Sequence, residues 1–486
     1  MSNPSDIFER ARCTTLGAFS QDENAPILVS AMSDATAVQD RRPHVVIVGG
    51  GFGGLTCAQS LARADVRITL VDRTNHHLFQ PLLYQVATAG LSPAEIAAPI
   101  RAVLSAQKNV TVLLEEVSSV ELARNRLHLR ERTLEYDFLV VAVGAVNNYF
   151  GKDNWAEFAP GMKSLDEAVE LRRRVLVAFE EAEREADESM REALLTMVII
   201  GGGATGVEMA GALADLSRTV LARDFRNIDP SKARVLLVEG GERVLGGFPA
   251  NLSESAQEQL KELGVELVLG QRVARIDNEG IVLRPSAGGE EKRIPSRTIV
   301  WAAGVKAAPI TKTLGVALDK GGRVIVDPDC SVPGFSNAYV IGDCANWAHD
   351  GEALPGLSPV AMQMARCVAE NIERGIDKLP GKRLRYRDKG MMATIGRSRA
   401  VAKSGPMELT GFIAWLAWIF VHLWFLVGFR NRFVVFFNWA YSYLVYARGA
   451  RIITGERFDA GAPAPIEETD GDMPSSSMRA QQAAAR

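Results

Sequence analysis

Read for apolar and polar positions, the chain alternates short, wholly apolar runs with glycine-rich turns and stretches of helical character. Val45 to Val48 is one such run and Met197 to Ile200 a second, and each leads into a cluster of glycines. Unbroken β-branched runs of this length suit strands covered on both faces, as in a parallel sheet. Three further runs close on small residues: "YDFLVVAVGA" (Tyr136 to Ala145), "TIVWAAGV" (Thr298 to Val305) and "SNAYVIGDCA" (Ser336 to Ala345). Strands alternating with helical stretches predict an α/β fold. "SLDEAVELRRRVLVAFEEAEREADESMREALL", from Ser164 to Leu195, reads as one long charged helix carrying the chain between two such units. Residues 1–42 and 457–486 are polar and aperiodic, and are expected to be a flexible extension and a disordered tail. One stretch departs from everything else: Gly411 to Phe429 runs for nineteen residues without a formal charge.

Composition narrows the class. The chain has 486 residues, 47% of them hydrophobic and 23% charged, enough for two or three domains with their own cores. A formal net charge of −3 argues against nucleic acid, which asks for a basic surface. The cysteines, Cys13, Cys57, Cys330, Cys344 and Cys367, form no CxxC pair, and the six histidines show no metal-ligand spacing. No metal is expected. The first thirty residues carry acids and arginines in place of a continuous apolar core, so no secretory signal is expected.

The glycine clusters carry the chemistry. In "HVVIVGGGFGGLTCAQSLAR", Gly49, Gly51 and Gly54 fall at GxGxxG spacing between a strand and a helix. Such glycines permit a tight turn, close approach of a pyrophosphate to backbone, and close helix–strand packing. The helix N-terminus adds free N–H groups and a positive dipole end for the phosphates. "VRITLVD" then ends at Asp72, about twenty residues on, where a carboxylate can accept ribose hydroxyls. A second copy, "TMVIIGGGATGVEMAGALADL", places Gly201, Gly203 and Gly206 in the same pattern, and "ARVLLVEGGERVL" brings Glu239 to the end of the following strand. An acid there repels a 2′-phosphate and predicts NADH over NADPH, with Arg243 nearby. Two such loops need two dinucleotides, most simply a nicotinamide donor and a flavin acceptor.

These motifs, in this order, resemble the two-dinucleotide-binding flavoprotein reductases. Within that superfamily the chain is most similar to the single-subunit type II NADH:quinone oxidoreductases. "NHHLFQPLLYQVATAGLSP" (Asn75 to Pro93), "GGGATGVEMAGAL", "DKGMMATIGRSRAV" (Asp388 to Val401) and the aromatic C-terminal segment all match, and the likeness spans roughly residues 43–455. The resemblance implies FAD on the first loop, at Gly49, Gly51, Phe52, Gly53, Gly54, Asp72, Arg73, Val117, Ala142 and Gly144, with Asp343 on the ribitol hydroxyls. It implies NADH on the second, at Gly201, Gly203, Ala204, Thr205, Gly206, Glu239 and Gly304. Where the family often has AQxAxQ, this chain has "SPVAMQ", so Pro359 replaces the first glutamine and Gln363 remains a quinone-side candidate. Glu208 is expected as a proton relay or orienting group and Lys389 as a stabiliser of negative charge on the flavin. Disulfide reductases of the superfamily use a closely spaced cysteine pair, and sulfide:quinone oxidoreductases use redox cysteines. This chain has none between Cys57 and Cys330.

The implied activity is hydride transfer from NADH to FAD and delivery of two electrons to a membrane quinone without proton pumping. The rivals are a soluble flavin reductase of a protein or of oxygen, and a redox-dependent FAD/NADH-binding protein with poor turnover. A quinone resides in the bilayer, and that accounts for the apolar segment. Gly411–Phe429, then "FVVFFNWAYSYLVYARGAR", is rich in Trp and Tyr suited to the headgroup boundary, with Arg448 and Arg451 placed for anionic lipid. It reads as a buried hairpin, a membrane span, or two helices lying on the bilayer surface; the last is favoured. The expected fold is therefore α/β, with two Rossmann-like dinucleotide-binding domains and a C-terminal helical membrane-associating module. The FAD domain comprises 43–155 and 305–390, the NADH domain 156–304 and the module 391–456. The enzyme is expected on the cytoplasmic face of the inner (plasma) membrane, with room for a homodimer.

Overall fold

The computed structural model describes residues 41–349, 352–427, 429–445 and 450–454. The expected extension over 1–42, but for its last two residues, and the expected tail over 457–486 lie outside the described residues, as do Tyr446 and Arg448.

The first half begins with β1 (His44–Val48), α1 (Phe52–Ser60) and β2 (Arg67–Asp72). A short helix, α2 (Leu83–Ala87), precedes β3 (Val110–Leu114) and β4 (Phe138–Val141). β1 is fully buried, as its unbroken apolar sequence requires, and lies between β2 and β4 in parallel register, with Val45 opposite both Ile68 and Phe138. Helix α3 (Leu165–Arg184) leads to the second half: β5 (Thr196–Ile200), α4 (Ala204–Asp215), β6 (Arg234–Val238), β7 (Val265–Val268) and β8 (Thr298–Trp301). There β5 lies between β6 and β8, again all parallel, with Met197 opposite Val235 and Thr298. The chain then returns to the first sheet through β9 (Phe335–Val340), which pairs with β4. The first sheet therefore takes strands from both sides of the second, in the order Ser331–Val332, β9, β4, β1, β2, β3.

The stretch from Ser164 to Leu195 is not one helix. α3 is started by a capping box, in which Ser164 Oγ accepts from Glu167 N and the Glu167 carboxylate accepts from Ser164 N. It ends before Glu185, whose backbone is extended, and Glu188–Leu194 forms a separate helix. Asp187 is the cause: its Oδ1 accepts from Met190 N at 2.8 Å, so it caps a new helix instead of continuing the old one.

Helix α5 (Ser358–Ile376) packs against α1. The C-terminal module opens as an antiparallel sheet, β10 (Met391–Gly396), β11 (Arg399–Ser404) and β12 (Met407–Thr410), so its expected helical character applies only from Gly411 onward. Two helices follow, α6 (Gly411–Phe425) and α7 (Phe429–Val445). α6 buries Ala414, Trp418 and His422 on one face and exposes Phe412, Ile413, Leu416, Phe420 and Trp424 on another. Among the described residues no helix is long and apolar enough to cross a membrane. Side-chain contacts fasten the module to both halves. Asn251 donates to Glu408 and Arg399 pairs with Glu262, while Trp439 Nε1 donates to Gln85 Oε1 at 2.8 Å and Asn438 donates to Glu95.

Candidate active site

Both glycine turns are built alike. Gly49 has φ +104°, and a side chain there would start 2.4 Å from the Ala142 carbonyl oxygen. Gly201 has φ +113°, with the Ala302 carbonyl at the same 2.4 Å. Only glycine adopts this backbone without strain and tolerates the approach. A Cβ on Gly54 would meet Gly49 O at 1.8 Å, and one on Gly206 would meet Gly201 O at 1.8 Å, so each helix lies directly on its strand. At Gly51 and Gly203 nothing lies within 4 Å of such a Cβ, which leaves the room a pyrophosphate needs at a helix N-terminus.

Each turn is held by the acid of the next strand. Gly50 N donates to Asp72 Oδ2 at 2.5 Å, and Gly202 N donates to Glu239 Oε2 at 2.6 Å. The other Asp72 oxygen accepts from Thr74 N and Oγ1, and the other Glu239 oxygen from Gly241 N. Glu239 thus occupies the position of Asp72 despite the longer stretch of chain before it. Arg243 donates to the Gly246 carbonyl at 3.0 Å, beside the cleft that Gly202, Gly203 and Glu239 line. Phe52 and Ala204 are the first residues of α1 and α4, Thr205 is exposed, and Gly53 lies under Ile341. Arg73 is exposed just past β2, and Val117 is half-buried at the start of the strand Val117–Glu121. Gly144 and Gly304 both have positive φ, at +68° and +144°. Asp343, in the turn after β9, lies 4.0 Å from Lys163 Nζ. The donors, carboxylates and open turns fit two dinucleotides.

A solvent-open cleft with a cavity volume of about 160 Å³ runs along α4. One wall carries Glu208, Ala212 and Asp215, three residues of one helical face; the other carries Trp415, Trp418 and Trp439 of the C-terminal helices. Burial pushes the Glu208 carboxyl up to about 8, and a hydrogen bond from the Thr394 backbone N–H holds back part of that rise. Gly211, on the buried side of α4, lets β10 approach until Ile395 O would lie 1.6 Å from an added Cβ.

The residues grouped by sequence do not all meet here. Gln363 and Lys389 are not among the residues lining this cleft. The Gln363 amide is engaged with backbone, donating to Arg387 O at 3.0 Å and accepting from Arg387 N at 2.9 Å. Lys389 is exposed two residues farther along. What the sequence did not reveal is the aromatic wall. His422 stacks on Trp418 with ring centroids 4.1 Å apart, Trp418 lies 5.4 Å from Trp439, and Phe79 meets His422 edge-on at 6.2 Å. Burial lowers His422 to about 4, so the ring is neutral within that stack.

Comparison with known proteins gives a consistent result. The pyridine nucleotide-disulphide oxidoreductase family matches residues 43–365, and the NDH2 C-terminal domain matches residues 389–447. Two Mycobacterium tuberculosis proteins are similar along most of their length. Type II NADH:quinone oxidoreductase Ndh is 46% identical, over 88% of this chain and 94% of its own. Type II NADH:quinone oxidoreductase NdhA is 44% identical, over 85% and 90%. In three dimensions, NDH2 from Plasmodium falciparum in complex with NADH matches with a TM-score of 0.78 at 20% identity, covering 84% of this chain and all of that one. That structural likeness speaks for the fold.

Proposed function

The chain belongs to the pyridine nucleotide-disulphide oxidoreductase family and, within it, to the type II NADH:quinone oxidoreductases, and from that premise we propose how its residues divide the work. The enzyme oxidises NADH and reduces a quinone. FAD, when bound, supplies a ring that accepts a hydride from NADH and passes two electrons onward. The FAD domain is 43–155 with 305–390, the NADH domain is 156–304, and the membrane-associating module is 391–456.

Gly51, Phe52, Gly53 and Gly54 bring the N-terminus of α1 to the FAD pyrophosphate, and Asp72 with Arg73 serves the adenosine end. Val117, Ala142 and Gly144 border the same cofactor, and Asp343 serves its ribitol hydroxyls. Gly203, Ala204, Thr205 and Gly206 do for NADH what the first loop does for FAD, with Gly304 beside it. Glu239, whose oxygens already hold two backbone N–H groups, places negative charge where NADPH carries its 2′-phosphate. Glu208, protonated below about pH 8, holds a proton on its carboxyl oxygen at the wall of the aromatic cleft. Gln363 is a positioning residue that fixes the Arg387 peptide, and Lys389 is the cation offsetting negative charge on the flavin side.

The observation that carries this reading is the cleft itself. A proton-bearing carboxyl on the NADH-side helix faces tryptophans of the very helices that expose Phe412, Ile413 and Phe420 on α6 and Phe433, Phe436 and Phe437 on α7. A lipid-borne acceptor can thus be met by a group that supplies protons. The exposed apolar faces of α6 and α7 lie on the cytoplasmic leaflet of the inner membrane, peripherally.

The test is an assay of detergent-purified protein with NADH and a short-chain quinone, repeated with NADPH. Quinone-dependent oxidation of NADH, much slower with NADPH, is expected. No such oxidation at full flavin occupancy would overturn the reading. Deletion from Glu408 onward is expected to release the protein from liposomes containing anionic lipid, and unchanged co-sedimentation would refute the membrane role.

A further inference from the structure

The peptide joining Gly50 to Gly51 is gripped at its carbonyl by a side chain. His77 Nδ1 lies 3.0 Å from Gly50 O. A carbonyl only accepts, so Nδ1 carries the hydrogen. His77 is 1% exposed, it sits in the strand His76–Leu78, and its ring meets Phe52 edge-on at 5.0 Å. Among the described residues, its buried Nε2 has no hydrogen-bond partner. Burying an imidazole with half its polar capacity unmet is costly, which marks the bond it does make as the reason for its presence.

The second copy shows what that bond accomplishes. There Gly202 O accepts from the backbone N–H of Leu245 at 2.7 Å. A trans peptide points its C=O and its N–H in opposite directions. Fixing the Gly50 carbonyl toward His77 therefore aims the Gly51 N–H away from it, and fixing the Gly202 carbonyl toward Leu245 does the same for Gly203. At both glycines the space beside the backbone is open. The same bracket is made twice, once by a side chain and once by main chain.

We infer that His77 is a positioning residue for FAD, donating Nδ1–H to the Gly50 carbonyl so that the Gly51 N–H faces the cofactor's pyrophosphate. The inference rests on the FAD reading of that turn. His77→Phe fills the volume without the donor, whereas His77→Asn keeps an N–H near the Nδ1 position. Holoenzymes are compared for the rate of FAD release, read from recovering flavin fluorescence in mild chaotrope, and for NAD⁺ affinity by calorimetry. His77→Phe is expected to release FAD at least about 10-fold faster, the size of one lost hydrogen bond. His77→Asn is expected to stay within about 3-fold of wild type, with NAD⁺ affinity unchanged in both because Leu245 guards the other turn. Wild-type release kinetics in His77→Phe, equal loss in His77→Asn, or joint loss of FAD and NAD⁺ binding in His77→Phe would each overturn the inference. Wild-type protein that purifies without flavin would defeat the FAD reading itself, a distinguishable failure.

Discussion

The two halves that hold the glycine turns are nearly the same object, and they part company at two helical positions. β1 between β2 and β4 corresponds to β5 between β6 and β8. The left-handed Gly49 matches Gly201, and the acid–amide bond from Gly50 to Asp72 matches that from Gly202 to Glu239. Counting from the turns, Phe52 corresponds to Ala204 and Thr56 to Glu208. Phe52 closes its end of α1 with edge-on contacts to His77 and Phe79, whereas Ala204 leaves the start of α4 open. Thr56 is half-buried on α1, while Glu208 is a carboxyl pushed up to about 8 in the wall of a cleft. On the function proposed above, dinucleotide binding is a property of the shared unit, and proton chemistry belongs to one residue on one copy.

The shared part can be broken one copy at a time. In Gly54→Ala and Gly206→Ala the new methyl would sit 1.8 Å from a carbonyl of its own turn, so the turn cannot keep its form. Gly54→Ala is expected to purify nearly free of flavin. Gly206→Ala should keep its flavin and lose more than about 100-fold in kcat/KM for NADH, equivalent to over about 2.7 kcal/mol. If either substitution removed both ligands together, the two turns would not be independent and the comparison would fail.

The next largest effect belongs to the position that differs. Glu208→Gln keeps the shape and removes the proton, and should lower quinone turnover by about 100-fold or more while flavin reduction by NADH changes little. Stability gives a separate readout. The folded carboxyl holds its proton up to about pH 8, whereas an unfolded one releases it in the ordinary carboxylate range. Between those limits the folded state binds more protons, so its stability falls as pH rises. Glu208→Gln cannot suffer that loss, so it should melt above wild type at pH 9 and alongside it at pH 4. Equal melting at both would place the wild-type carboxyl in water.

Most of the duplicated frame was legible in the sequence because it is local: β-branched runs, glycines at fixed spacing and an acid at the end of the next strand. The break at Glu185 was also written locally, in Asp187 as a cap three residues before Met190, but the continuous charge pattern on either side masked it. The cleft was not legible. It joins Glu208 to Trp415, Trp418 and Trp439, more than two hundred residues away, and no periodicity reports such a meeting. Gln363 shows a second kind of engagement that the sequence does not report. A family motif marks it for the quinone side, and in the fold its amide also bonds the Arg387 backbone, an engagement set by the path of a loop.

A smaller contrast lies in the acids. Both Glu239 oxygens accept from backbone N–H groups, Gly202 and Gly241. Glu239→Gln loses the negative charge and turns one acceptor into a donor facing an N–H. It should cut the preference for NADH over NADPH by about 10-fold, mostly through KM. Flavin content should not move, since Asp72 serves the other turn. A preference left intact would shift the discrimination to Glu242 or Arg243, which line the same cleft.

The smallest expected effect is the most exacting for the comparison. Thr56 stands where Glu208 stands in the other copy, and Ser60 Oγ donates to its backbone carbonyl at 2.8 Å. Thr56→Val preserves that carbonyl, the branching at Cβ and nearly the volume, so it should cost under about 1 kcal/mol. Quinone turnover, NADH affinity and the pH profile should all stay within about twofold of wild type. A large loss of turnover with flavin content intact would mean that the first copy also takes part in moving protons. The division between a copy that only binds and a copy that binds and supplies protons would then be wrong, whatever Glu208→Gln had shown.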